Sequence, residues 1–146
     1  MKIGFTLTPK TRPNKPVIHY QHHVIKNIFM KIPEKVPEKG FYYHYKHNPA
    51  LSINNYAYEL IGVGIHSEEN CRPEDANMAI YLPIYESSAF KSGKFFVLRP
   101  LDMFMGDVVK DLPAQAGEKT FPRFIKITDE KVIEELEKIK ADMYRG

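Results

Sequence analysis

The chain from Gly40 onward consists of short aromatic and β-branched segments that are separated by Gly, Pro, Asn and Ser. Segments of this kind are typical of β-strands, and the residues between them are typical of turns. The predicted strands are residues 41–45, 56–66, 78–85, 95–99 and 121–127. Five short strands in fewer than ninety residues predict a small half-open β-barrel, because a curled sheet leaves little exposed strand edge.

Helices are predicted on both sides of this β region. Residues 1–7 alternate like a strand, and apolar residues spaced by three and four predict a helix over about residues 18–32. Thr128 is predicted to cap a last helix, whose apolar stripe is Val132, Leu136, Ile139 and Met143. The predicted fold is therefore α+β, a small half-open barrel of about five strands with an N-terminal strand–helix extension and a C-terminal helix.

The sequence predicts that the chain is divided into three parts. Residues 1–39 form a basic extension that ends in a Pro-Glu-Lys repeat, a semi-rigid connector. Residues 40–127 form the β domain, and residues 128–146 the amphipathic helix. The lone Cys71 excludes an internal disulfide, and no apolar run long enough for a signal peptide or a membrane span follows Met1. We therefore expect a cytoplasmic protein without membrane association.

Positive charge is concentrated at the N-terminal end. The formal net charge of the chain is +3, but residues 1–40 contain eight Lys or Arg and two Glu, which gives this segment a charge of +6. A basic segment favours a polyanionic partner. The alternative is an ordinary lysine-rich surface in contact with water.

Tyrosine is concentrated in the β region. Seven of the nine tyrosines lie between positions 42 and 85, and one small barrel interior cannot hold all of their rings. Exposed aromatic rings beside basic residues stack unpaired bases, whereas the alternative is that cross-strand aromatic pairs only stabilise the sheet. The residues predicted to contact a ligand are Tyr43, Tyr45, Tyr58, Tyr81, Lys91, Lys94 and Arg99.

A catalytic site is the second hypothesis. His66 and Glu68 are two residues apart at a strand end, so their side chains point to the same side. Together with Arg99 they would permit acid–base chemistry on a phosphate or carboxylate ester. The alternative is that Arg99 pairs with Glu68 and only holds the end of the barrel.

The histidines of the N-terminal helix do not predict a metal site. His19 and His23 are one helical turn apart, with His22 beside them, but no Asp, Glu or Cys lies within several residues. We therefore expect no bound metal and no cofactor.

Four motifs resemble those of a known family. In order they are His44-Tyr45-Lys46, His66-Ser67-Glu68, the Leu-Arg-Pro-Leu-Asp-Met-Phe run at 98–104, and Pro122-Arg123-Phe124. Over about residues 40–127 the chain resembles domain-of-unknown-function family 1653, with His47 where the family has a glycine. The resemblance implies a small stand-alone bacterial or phage domain with a compact SH3-like or otherwise barrel-like β fold. It implies no substrate, catalytic residue or partner.

Three functions remain open on the sequence. The first is a non-catalytic binding module for RNA, single-stranded nucleic acid or a nucleotide-like ligand. The second is a small hydrolase or nucleotide-processing enzyme that uses His66, Glu68 and Arg99. The third is a protein–protein adaptor or inhibitor that binds a partner or a second copy of the chain through its C-terminal helix.

Overall fold

The computed structural model describes residues 32–110 and 119–146 of the chain. The strands are β1 (Gly40–His44), β2 (Ala57–Ile65), β3 (Asn77–Pro83), β4 (Val97–Pro100), β5 (Asp107–Lys110), β6 (Lys119–Pro122) and β7 (Phe124–Lys126). The helices are a 3-10 turn (Pro73–Asp75), α1 (Ser88–Lys91), α2 (Leu101–Met105) and α3 (Glu130–Met143). The strand and helix predicted within residues 1–31 lie outside the described residues.

Five strands form one antiparallel sheet in the order β4-β3-β2-β1-β7, and β5 and β6 form a separate antiparallel ribbon. The predicted α+β fold, with a five-stranded sheet and a C-terminal helix, is confirmed. The sheet is open, so β4 and β7 are its edges. Among the described residues, no helix has the length and the apolar run needed to cross a bilayer.

Each face of the sheet has its own hydrophobic core, because successive side chains of a strand point to opposite faces. The core on the first face is Tyr42, Leu60, Ala79, Tyr81, Leu101, Phe104 and Phe124, with α2 packed over it. The core on the second face is Phe41, Ala57, Ile84, Ile127 and Leu136, with α3 packed over it. The apolar stripe of α3 thus packs against the sheet of its own domain.

Two predicted strand boundaries are wrong. β4 begins at Val97 rather than at Phe95. The strand predicted over residues 121–127 is two strands, because β6 pairs with β5 while β7 pairs with β1. Arg123 lies at the junction, where its N–H donates to the Gly106 carbonyl (3.0 Å) and its carbonyl accepts from the Tyr45 N–H (2.9 Å). The backbone of Arg123 is therefore held on both sides.

The N-cap of α3 is Asp129 and not the predicted Thr128. The Asp129 carboxylate accepts hydrogen bonds from the backbone N–H groups of Lys131 (2.9 Å) and Val132 (3.2 Å). These are two of the N–H groups that the first turn of a helix cannot satisfy internally.

We expect Asp129→Ala to lower the free energy of unfolding by about 1 kcal/mol, because those N–H groups lose their acceptor. Thr128→Ala is the matched control, since Thr128 precedes the cap, and its unfolding free energy should equal that of the wild type. Urea denaturation followed by circular dichroism measures both. Equal losses in the two variants would contradict the assignment of the cap.

Candidate functional site

One end of the first face carries a group of aromatic and basic side chains, which we call the aromatic–arginine cluster. Its members come from β1, β2, β3, β4 and β7 and from the turns that follow or precede them. They are His44, Tyr45, Lys46, Tyr56, Tyr58, Tyr81, Tyr85, Arg99, Arg123 and Phe124.

His44, the last residue of β1, lies at the centre of the cluster. Its side chain is surrounded by the rings of Tyr45, Tyr56 and Phe124, at centroid distances of 4.3, 6.0 and 5.0 Å. Nδ1 of His44 accepts the Lys46 backbone N–H (3.4 Å), so the neutral ring carries its proton on Nε2.

Burial lowers the pKa of His44 to about 4, and the positive charges of Arg99, Lys46 and Arg123 act in the same direction. The imidazole is therefore uncharged at neutral pH. In this state it offers one N–H donor and adds no charge to the cluster.

Three tyrosines of the cluster contact one another, with Tyr58 in the middle. The Tyr58 hydroxyl lies 2.5 Å from the Tyr85 hydroxyl, and burial raises the pKa of both phenols, so both stay protonated at neutral pH. The Tyr81 ring packs edge-on against Tyr58 at 5.3 Å and is only 1% exposed. Tyr81 is thus a core residue, and its hydroxyl accepts a hydrogen bond from Arg99 Nε at 3.1 Å.

The two arginines of the cluster have no acidic partner among the described residues. Within the described part of the chain, no carboxylate lies within ion-pair distance of Arg99, Arg123 or Lys46. Among the described residues, Arg123 Nε is buried and has no hydrogen-bond partner. A buried donor without a partner is costly.

The structure brings together four of the residues predicted to contact a ligand. They are Tyr45, Tyr58, Tyr81 and Arg99, and all four lie in the cluster. Tyr43 points to the second face, where its ring stacks on His47 at 3.6 Å and its hydroxyl donates to the Ile53 carbonyl.

The two predicted lysines lie beyond β3. Lys91 ends α1 with its Nζ 4.0 Å from Glu86, and Lys94 Nζ donates to the Arg145 carbonyl at 3.1 Å. In the described part of the chain, the polar partners of these two lysines are thus not members of the cluster.

The residues predicted for catalysis are not all together. The Glu68 backbone N–H donates to His66 Nδ1 at 3.1 Å, and His66 lines a groove of about 280 Å³ with Ile80 and Leu98. That groove is on the second face, whereas Arg99 is directed to Tyr81 on the first.

Within the described residues, no group of three His, Cys, Asp or Glu side chains is arranged to hold a metal ion. His19, His22 and His23 lie outside them.

Sequence reasoning missed six members of the cluster: His44, Lys46, Tyr56, Tyr85, Arg123 and Phe124. A signal was present, because three of the four motifs that resemble the family contribute to the cluster. His44 belongs to His-Tyr-Lys, Arg99 to the Leu-Arg-Pro run and Arg123 to Pro-Arg-Phe. Nothing in the spacing of the motifs indicated that their side chains meet.

The fold and the cluster define a small α+β domain with an open antiparallel sheet and a positively charged aromatic site at one end of one face. The chain belongs to the family described as Protein of unknown function (DUF1653), whose model matches residues 40–126. The match includes all seven strands and every member of the cluster, and it ends before α3. No curated protein and no solved structure was found to match the chain.

Proposed function

We propose that this domain is a non-catalytic binding module for RNA, single-stranded nucleic acid or a nucleotide-like ligand. We propose the aromatic–arginine cluster as its binding site. The observation that supports this most is that two arginines, which have no acidic partner in the described part of the chain, meet several half-buried tyrosine rings. A nucleotide combines the two groups that such a site can recognise, a phosphate and a flat base.

The charges of the cluster match a phosphate. An arginine guanidinium presents its N–H donors in a fork that fits phosphate oxygens, and such charge-assisted hydrogen bonds are stronger than neutral ones. The neutral His44 adds an N–H donor for a further oxygen.

The rings of the cluster match a base. Tyr45 and Tyr56 are half-buried, so part of each ring faces solvent. Stacking on an aromatic ring contributes about 1–3 kcal/mol per base and tolerates any base, since each has a π-face. The paired hydroxyls of Tyr58 and Tyr85 hold the neighbouring rings in place.

Two observations favour binding over the other hypotheses. With a pKa of about 4, His44 is poorly matched to general acid–base catalysis near neutral pH, and Arg99 lies on the face opposite to His66. For an adaptor, the apolar stripe of α3 would have to be free, but it packs on the second face through Leu136, which is 0% exposed.

Binding is tested by fluorescence anisotropy with a labelled oligouridylate at low salt. We expect Arg99→Gln and Arg123→Gln each to weaken binding by about tenfold, because each removes a charge-assisted contact to phosphate. The affinity of the wild type should fall steeply as salt is added.

Arg72→Gln is the matched control, because Arg72 is exposed, pairs with Asp75 and lies away from the cluster. It should bind like the wild type. Circular dichroism melting curves establish that the variants are folded. Absence of binding by the wild type at low salt, or equal losses in all three variants, would contradict the proposal.

A further inference from the structure

In the described part of the chain, α3 covers only part of the second face of the sheet. The residues of β2, β3 and β4 that form the rest of this face, which we call the apolar half-face, are Gly62, Gly64, Met78, Ile80 and Leu98. Gly62 pairs with Ile80 and Ile80 with Leu98, so their side chains share one face. That face is the second, because Tyr81, the neighbour of Ile80, belongs to the first core. Leu98 is 56% exposed, and four members of the half-face line the groove of about 280 Å³.

Two glycines form the floor of the apolar half-face. Gly62 and Gly64 are two residues apart in β2, so the strand places no side chain on this face at either position. A Cβ on Gly64 would lie 3.0 Å from Ile80 Cδ1, which shows that the isoleucine leans over the bare backbone. A glycine inside a strand often marks a place where another backbone approaches closely. The half-face is therefore a shallow apolar depression that suits a packed helix.

The described chain begins beside this half-face. Pro33 and Val36 line a second groove, of about 350 Å³, together with Gly62 and Ile65. Ile65 also lines the first groove, so the two grooves adjoin. Residues 1–31 lie outside the described residues and join this part of the chain just before Pro33. They are therefore tethered next to the half-face.

We propose that residues 18–31 pack on the apolar half-face as an amphipathic helix. The apolar residues that the three-and-four spacing aligns in this segment are Ile18, Ile25, Ile28 and Phe29. A helix over residues 18–31 is about 21 Å long, and β2 lies about 10 Å from β4. Its length is thus sufficient to cover the whole half-face.

The tether favours this segment over other occupants. A segment joined to the rim of a groove by a few residues has an effective concentration there on the order of millimolar, which a second copy of the chain or a partner protein must exceed. The arrangement also repeats that of the other half of the second face, where the amphipathic α3 packs on the sheet. The aromatic–arginine cluster lies on the first face, so this inference is independent of the proposed function.

The test measures how fast N-ethylmaleimide alkylates a thiol on the half-face of the full chain, after Cys71→Ser has removed the natural cysteine. We expect the thiol of Leu98→Cys to react at least about tenfold more slowly than that of Leu51→Cys, because only molecules in which the helix has left the face react. Leu51→Cys is the matched control, since Leu51 is 63% exposed and Leu98 56%. Without a covering segment the two thiols would react at similar rates.

A second set of variants identifies what covers the face. Ile25→Asp/Ile28→Asp places charge on the apolar stripe and should raise the alkylation rate of the half-face thiol to that of the control thiol. Asn27→Asp is the matched control, because residue 27 lies on the opposite side of the predicted helix, and it should leave the slow rate unchanged. Ile25→Leu/Ile28→Leu should also retain the slow rate. Circular dichroism melting curves establish that every variant is folded.

Equal rates for Leu98→Cys and Leu51→Cys would overturn the inference, because the half-face would then be open. A slow rate that Ile25→Asp/Ile28→Asp does not raise would also overturn it. A rate for Leu98→Cys that falls as the protein concentration rises would assign the half-face to a second copy of the chain instead. None of these results bears on nucleic-acid binding, which the anisotropy experiment tests separately.

Discussion

Leu136→Ala is expected to lower the free energy of unfolding by about 2–5 kcal/mol. Leu136 is 0% exposed and is the only residue of α3 that is fully buried. It packs on Phe41, Ile84 and Ile127 in the core of the second face. Truncation removes apolar contacts and leaves a cavity, because the close-packed side chains of the sheet can relax only partly into the space. Urea denaturation measures the loss.

Leu51→Ala is the matched control for Leu136→Ala. It is the same substitution at a position that is 63% exposed, and its unfolding free energy should lie within about 0.5 kcal/mol of that of the wild type. The comparison also tests whether α3, which lies outside the family match, belongs to the folded unit. Similar values for the two variants would mean that α3 is not docked on the sheet.

Acidification is expected to destabilise the domain through His44. The pKa of this buried imidazole is about 4 when folded, against about 6.5 when exposed. Between these pH values the unfolded chain binds a proton that the folded chain excludes, so stability falls as pH falls. The stabilisation from His44 is complete above about pH 6.5 and lost by about pH 4, a change of roughly 3 kcal/mol.

His44→Phe removes this titration while keeping a flat ring, so its free energy of unfolding should vary less over the same pH range. His66→Gln is the matched control, a histidine replaced on the other face of the sheet, and should keep the pH dependence of the wild type. NMR titration of the His44 ring protons gives its pKa directly. If the free energy of unfolding depended on pH in the same way in the wild type and in His44→Phe, titration of His44 would not be the cause of the acid destabilisation.

The secondary structure was largely predictable because it follows from local patterns. Aromatic and branched runs predicted β1 to β4, and the three-and-four spacing of Val132, Leu136 and Ile139 predicted α3. Boundaries were less predictable where two local solutions compete. Thr128 and Asp129 are both good N-cap residues, and only the path of the chain out of β7 directs the Asp129 carboxylate to the first turn.

The split of the last predicted strand shows a second limit. The last strand was predicted over residues 121–127, and although Pro122 signals an interruption, the local pattern does not give the strand partner of either part. The division arises at Arg123, where the chain leaves the ribbon with β5 and joins the sheet beside β1. Strand partners are long-range contacts, so the break depends on residues far away in the sequence.

Tyr58 and Arg99 were found from sequence because an aromatic and a basic residue in strands are visible candidates on their own. His44 and Arg123 were missed because each is notable only through its contacts with the other members of the cluster. Residues 44, 99 and 123 approach one another only when β1 and β7 pair and β4 joins through β3 and β2. The low pKa of His44 likewise follows from the burial that these neighbours impose.

The amino-acid sequence by itself determined the α+β class, the strands β1 to β4 and the C-terminal helix, because hydrophobic periodicity acts within a few residues. The tertiary structure alone decided which tyrosines are core and which reach the surface, and which basic residues share one end of one face. The physical reason is that burial and charge proximity depend on strand order and on the faces that α2 and α3 cover.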